Sequence, residues 1–359
     1  MSSGFRETER SLRLRAGAKL NLALDIVGRR ADGRHNIETV MQSVNLADDV
    51  EVTVRPGQGR ISVQVGATRP GLVARVPEGE HNIAHKAASR FLAELQGGGG
   101  GRCGGCRIDV DVRIHKSIPT EAGLGGGSAD AGAVLVALNR LAGEVMTRDR
   151  LRAVGERIGA DVPFAIYALE RETTGAAFAR GVGEVIQPVP GLAGSWFVIA
   201  VPAFGLSTRD MYGLWDARFD GHIIGNGDRD AKRPCARALA DAMIRGERIE
   251  HLCGLMTNDF HSLAAEQRPE IGRVARALME NGALCSLLTG SGSAVFGVFG
   301  SEGEATAASQ SNELQRALSE SRGAFPEQDP VTIVAAAAAP PAAIGSTGVQ
   351  PGTSGRRLG

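Results

Sequence analysis

Residues Pro119 to Gly132 constrain this chain more than any other stretch. They read Pro-Thr-Glu-Ala-Gly-Leu-Gly-Gly-Gly-Ser-Ala-Asp-Ala-Gly. Gly123, Gly125, Gly126 and Gly127 precede Ser128, Ala129 and Asp130, and an apolar helical pattern follows at Val134, Leu135, Ala137, Leu138 and Leu141. Upstream, Ile108, Val110, Val112 and Ile114 alternate on one face, the period of a strand. A strand, a glycine loop and a helix in that order suit an anion. Glycine lets the backbone approach closely, and the first N–H groups of the helix have no carbonyl behind them. Pro119 and the helix pin the loop at both ends, which disfavours a slack linker.

Known phosphate loops narrow the choice. A Walker loop ends in Gly-Lys-Ser/Thr. None of Lys19, Lys86, Lys116 and Lys232 follows a glycine, so that loop is excluded. A dinucleotide fingerprint needs a third glycine where Ser128 stands. Acidic and basic residues balance at 40 each, so no global basic field points to nucleic acid. No apolar run approaches ~20 residues, so no membrane span is expected. The polar start lacks a signal-peptide core, and a cytoplasmic setting is expected. Five cysteines fit a reducing compartment. Cys103-Gly-Gly-Cys106 has metal-knuckle spacing without a second pair nearby, so it reads as a glycine-rich surface loop.

A length of 359 residues suggests two domains, placed at 1–185 and 186–330 and followed by a disordered tail at 331–359. The first half reads as strands over 12–28, 37–44, 49–54, 61–65 and 106–115, with helices over 82–95 and 147–158. Gln96 to Gly105 reads as a mobile glycine loop. Trp196 to Val201 opens the second half as a strand. A polar stretch covers 216–236, helices cover 237–245, 268–281 and 303–321, and two strands flank the glycine turn Thr289 to Ser293. The tail is rich in Ala, Pro, Gly and Ser and lacks periodicity.

Three motifs together carry a resemblance. Ala18-Lys-Leu-Asn-Leu22, Pro119 to Ala129, and Thr289-Gly-Ser-Gly-Ser-Ala294 resemble the three motifs of the GHMP kinases. Gly28 to His35, Gly125 to Ser128, Gly159-Ala-Asp-Val-Pro163 and Gly181-Val-Gly-Glu184 are similar to the branch acting on a cytidine diphosphate conjugate of methylerythritol. The resemblance covers about residues 13 to 300 in matching order. It implies an α+β, two-domain GHMP-kinase fold with nucleotide and substrate in the interdomain cleft. It also implies ATP-dependent phosphorylation of a hydroxyl in the non-mevalonate isoprenoid pathway. The expected ligands are ATP, Mg²⁺ and a small-molecule cytidine diphosphate conjugate, with neither nucleic acid nor membrane as partner. The expected assembly is a monomer or homodimer. A GHMP kinase for another small alcohol and a catalytically inactive nucleotide-binding regulator stay open as alternatives.

The resemblance assigns roles that the residues must be able to perform. Lys19 and Asp161 become the catalytic pair. A lysine amid small and apolar strand residues needs an anion, and Asp161 or the migrating phosphoryl supplies one. Pro163 disfavours helix at Val162, so Asp161 is read as standing where a helix has ended and the chain turns. Pro119, Gly123, Leu124, Gly125, Gly126, Gly127, Ser128 and Ala129 become the nucleotide loop, and Ser128 also a Mg²⁺ ligand. Asn82 falls on the adenine side, with helix capping as its ordinary role. Lys116 is assigned to adenine or phosphate, with a solvated strand-end lysine as its ordinary role. On the substrate side, His35 hydrogen-bonds the cytosine, Arg34 replaces a tyrosine that stacks on it, and Tyr212 is the second wall. Thr208, Asn21, Gly290 and Ser291 complete the substrate set.

Overall fold

The computed structural model describes residues 8–68, 76–97, 108–170, 175–219, 234–324 and 329–337. The first half contains β1 (Arg10–Arg29), β2 (His35–Pro56), β3 (Ile61–Ala67), α1 (Ile83–Gly97), β4 (Ile108–Lys116), α2 (Gly126–Leu141), α3 (Arg148–Glu156), α4 (Val162–Glu170), β5 (Ala176–Gly181) and β6 (Val185–Val189). The second contains β7 (Trp196–Val201), α5 (Thr208–Phe219), α6 (Ala236–Ile244), α7 (Ile249–Leu255), β8 (Thr257–Asn258), α8 (His261–Gln267) and α9 (Pro269–Glu280). It ends with β9 (Cys285–Leu288), β10 (Val295–Phe299), α10 (Glu302–Ser309), α11 (Asn312–Ser319) and β11 (Val331–Ala336).

Two long strands organise the first sheet. β1 and β2 pair antiparallel almost end to end, with register shifts after Gly17, Asn21 and Ile26. The strands expected at 37–44 and 49–54 are one element, because residues between them keep pairing with β1. That length gives β2 two partners on its other edge: β5 beside Ile37 to Gln42, and β4 beside Asp49 to Pro56. β3 lies parallel to β4, β6 pairs with β5, and β8 from the second half adds two residues parallel to β1. The second sheet runs β11-β7-β10-β9.

Between Ala129 and Asn139 every residue of α2 is buried, so this helix forms a core, with Asp130 and Asn139 as its buried polar members. It packs on β1, β2, α1 and α4. Burying a side chain such as Leu135 stabilises the fold by about 1.5–3 kcal/mol. The glycine loop is therefore anchored to a helix buried along most of its length.

Several expectations need correction. α4 begins at Val162 with Pro163 in its first turn, where a missing N–H costs nothing and a fixed φ suits the helix. The helix expected over 303–321 breaks at Gln310 and Ser311, where Ser311 caps the second piece by accepting from Leu314 N. Val331–Ala336 is a strand on β7 with Ala335 fully buried, where a disordered tail was expected from 331. The alternating Val-Thr-Ile-Val run pairs and buries despite the biased composition after it. The Cys103 to Cys106 knuckle and most of the glycine run lie outside the described residues, as does the tail beyond 337.

Candidate active site

The glycine loop turns into α2 at Gly125, which holds φ 71° and ψ 18°, a left-handed conformation that favours glycine. Ala129 N donates to Gly125 O at 2.9 Å, which leaves the amides of Gly126, Gly127 and Ser128 at the open end of the helix. Ser128 is partly exposed in that first turn. Ser128 therefore stands inside the helix, and Gly125 holds the capping position. The loop is tied to β1 by Lys19 N donating to Leu124 O at 3.0 Å. Pro119, Leu124 and Ala129 are buried beneath it.

Lys19 and Asp161 meet at the mouth of this loop. Lys19 Nζ lies 3.5 Å from Asp161 Oδ2 and donates to Asn21 Oδ1 at 2.5 Å. A Cβ on Gly125 would sit 3.0 Å from Lys19 Cγ and 3.7 Å from Asp161 Oδ2, so loop, ammonium and carboxylate occupy one small volume. The Lys19 side chain is 8% exposed and that of Asp161 34%. One partner is therefore built in and the other faces the opening. Asp161 O accepts from Ala165 N at 3.0 Å, so the residue starts α4 between two helices.

The Thr289 to Ser293 turn closes the opposite side. Thr289 Oγ1 accepts from Asn21 N at 3.0 Å, and Ala294 N donates to Ala122 O at 3.1 Å. Lys19 Nζ lies 3.2 Å from where a Cβ on Gly290 would be. Asn21 Nδ2 donates to Thr39 Oγ1 at 2.8 Å, and that hydroxyl donates to Ala23 O at 2.6 Å. Asn258 Nδ2 donates to Leu288 O and Gly290 O at 2.7 and 2.9 Å. Asn21 is thus locked with its carbonyl oxygen on Lys19. Thr208 Oγ1 and Ser291 Oγ share a hydrogen bond at 2.8 Å, linking the turn to α5.

Three side chains of α5 gather around His35. The His35 and Tyr212 rings stack with centroids 4.5 Å apart at 11°, and Trp215 meets His35 edge-on at 5.7 Å. His35 Nε2 lies 2.7 Å from Asp216 Oδ1. Burial pushes the Tyr212 phenol up, and the charge of Asp161 adds to that rise. Arg34 does not join them. Its backbone N–H and guanidinium both grip Asp32, at 3.1, 3.0 and 2.8 Å, and its side chain is 56% exposed. A carboxylate two residues away in the same turn holds the arginine that was expected to stack on the base.

Two expected nucleotide ligands are otherwise engaged. Asn82 is 3% exposed, donates to Pro77 O and accepts from Ala84 N at 2.8 Å each, so it caps α1. Its neighbour Ile83 adjoins the loop, because a Cβ on Gly127 would sit 3.5 Å from Ile83 Cγ2. Lys116 is buried, bonds Asp48, and donates to Asp130 Oδ2 at 2.7 Å. It is neither solvated nor at the loop's mouth. Its ammonium lies beneath the loop, 3.3 Å from where a Cβ on Gly126 would be. Asp48 also accepts from Ser117 N and Ile118 N at 2.5 and 2.9 Å. Burial raises the Asp130 carboxyl, against the pull of Lys116. Burial pulls the Lys116 ammonium down, but the charges of Asp130 and Asp48 outweigh it and leave it raised. Among the described residues no group of three or more His, Cys, Asp or Glu is placed to hold a metal, and no helix is long and apolar enough to cross a membrane.

Sequence reasoning missed Asp216, Trp215, Thr39, Asn258 and Asp48. Asp216 carried a readable signal: it stands four residues after Tyr212, one helical turn on the same face.

An amide loop entering a buried helix, a lysine–carboxylate pair at its mouth and a second glycine turn across from it define a kinase of the GHMP class. Comparison agrees: residues 82–168 match the GHMP kinases N terminal domain and residues 239–319 the GHMP kinases C terminal domain. The chain is 36% identical over 302 residues to the 4-diphosphocytidyl-2-C-methyl-D-erythritol kinase of Geobacter metallireducens, covering 84% of this chain and 94% of that protein. It is 35% identical over 301 residues to the enzyme of that name from Alkaliphilus metalliredigens, covering 83% and 91%. A crystal structure of 4-(cytidine 5'-diphospho)-2C-methyl-D-erythritol kinase superposes with TM-score 0.59 at 28% identity, covering 91% of this chain and all of that one. Homoserine kinase from Cytophaga hutchinsonii shares the fold at 17% identity and TM-score 0.62, covering 94% and 98%. The chain belongs to the 4-diphosphocytidyl-2-C-methyl-D-erythritol kinase family.

Proposed function

We propose that this chain transfers the γ-phosphoryl group of ATP to a hydroxyl of 4-diphosphocytidyl-2-C-methyl-D-erythritol, within non-mevalonate isoprenoid synthesis. The observation that carries the chemistry is the approach of Lys19 to Asp161, 3.5 Å apart at the open end of the Gly125 to Ser128 amides. Phosphoryl transfer is largely positioning and charge neutralisation. The loop amides cradle the β- and γ-phosphates. Lys19 holds the Asp161 carboxylate in position and offsets charge on the migrating group. Asp161 accepts or orients the proton of the attacking hydroxyl. Asn21, fixed through Thr39 and Thr289, holds Lys19 in place and meets the acceptor's hydroxyls.

Mg²⁺ suits these residues as a companion of the nucleotide. It prefers oxygen and keeps several waters, and the partly exposed Ser128 hydroxyl is an oxygen donor beside the phosphate site. Bound there with the phosphates, it would neutralise their charge. The cytidine end belongs beside Tyr212 and His35, with Thr208, Gly290 and Ser291 between it and the reacting hydroxyl. A cytoplasmic enzyme acting as a monomer or homodimer fits this chemistry. The test is ATP consumption with purified protein, with and without the cytidine conjugate. Conjugate-dependent turnover supports the reading. Turnover only with another alcohol rejects the substrate, and binding without turnover rejects the kinase.

A further inference from the structure

The His35 corner contains more machinery than base stacking requires. Asp216 reaches His35 from α5, one turn beyond Tyr212, with Oδ1 2.7 Å from Nε2. The second Asp216 oxygen lies 3.5 Å from Arg29 Nη1, on the strand residue paired with His35. Tyr212 covers one ring face and Trp215 meets the ring edge-on, and the imidazole side chain is 5% exposed. This ring is fixed in plane and rotation.

A carboxylate accepts hydrogen bonds and donates none, so Nε2 must carry the proton in this contact. In the neutral ring Nδ1 is then the acceptor. An acceptor there pairs with an exocyclic amine and opposes an exocyclic carbonyl oxygen. Cytosine carries the amine at position 4, and uracil carries the carbonyl.

We infer that Asp216 is a positioning residue that sets the His35 tautomer and thereby selects the cytidine over the uridine conjugate. This rests on the proposed cytidine substrate. A site built to pair with a polar group rejects the mismatched one because its own polar atom is left unpaired. Arg29 holds Asp216 at the proper angle, and Tyr212 and Trp215 prevent the ring from turning over.

Two measurements on the full chain decide it. First, ¹⁵N NMR of the histidine side chains, with His35 assigned by its loss in His35→Gln, reads the tautomer without substrate. The expected result is a proton on Nε2 in the wild type and a tautomer mixture in Asp216→Ala. A wild-type ring protonated on Nδ1, or an unchanged Asp216→Ala spectrum, overturns the inference. Second, kcat/KM is compared for cytidine and uridine conjugates. Asp216→Ala is expected to lower the cytidine preference about 10- to 100-fold through KM of the conjugate, with KM for ATP unchanged. Asp216→Asn, the same shape with one acceptor oxygen, should recover most of that preference. An unchanged preference in Asp216→Ala overturns the inference. Failure of the wild type to use the cytidine conjugate instead removes the proposed substrate, and the tautomer experiment still decides whether Asp216 sets the ring.

Discussion

Replacing Lys19 by methionine removes the ammonium while keeping the length that packs along β1. The pair distance of 3.5 Å sets the scale. At an effective dielectric of about 20, two unit charges at that separation attract by about 5 kcal/mol. Asp161 is 34% exposed, so solvent screens part of this. About 2–3 kcal/mol then remains available to the transition state, or roughly 100-fold in rate. Stability should change far less. Asp161 keeps water as a partner, and Asn21 Oδ1 loses one hydrogen bond worth about 1 kcal/mol. Steady-state kinetics at saturating ATP and acceptor, alongside a thermal melt, separate the two effects. The expected variant melts within a few degrees of wild type and turns over about 100-fold more slowly. A folded variant with kcat within threefold of wild type would refute the role of Lys19.

Three further outcomes follow from the loop and its support. Gly123 has φ 75°, and an added Cβ would lie 2.3 Å from Thr289 O. Gly123→Ala should therefore separate the nucleotide loop from the glycine turn, raise KM for ATP at least tenfold and destabilise the fold by about 2 kcal/mol or more; unchanged ATP binding would count against the contact. Lys116→Met leaves Asp48 and Asp130 buried without their cation and should cost about 3–5 kcal/mol in denaturant titrations. A loss under 1 kcal/mol would show that the trio is not coupled. Burial pushes the Asp130 carboxyl up to about 8 from its ordinary 3.8. Its folded value is the higher one, so its contribution to stability is complete below the unfolded value and is lost as pH rises toward 8. Asp130→Asn should flatten the fall in denaturation midpoint between those two pH values, and an equally steep variant profile would reject this.

The parts of the site written as local runs were legible. Gly123 to Ser128 announces an anion loop by composition and by the helix after it. Lys19 announces a need for an anion by its apolar neighbours, but its partner 3.5 Å away lies far along the chain and was named only through resemblance. Burial was the property least visible. Lys116 looked like a free cation, because nothing local marks Asp48, brought beside it by the β2–β4 pairing, as its partner. The capping role weighed for Asn82 is the one its hydrogen bonds fill. Asp216 was grouped with the polar stretch after it, which hid its helical spacing from Tyr212. Arg34 is held by the acidic Asp32 two positions before it, a local contact that the sequence makes readable.

The central claim is that Lys19 and Asp161 serve one phosphoryl tip as a unit. A double-mutant cycle on kcat, using Lys19→Met, Asp161→Asn and the combined variant, tests it most directly. Joint action predicts that the combined variant is within about threefold of the slower single variant. Losses that multiply across the two positions would mean that the residues work independently, and the shared site described here would be wrong.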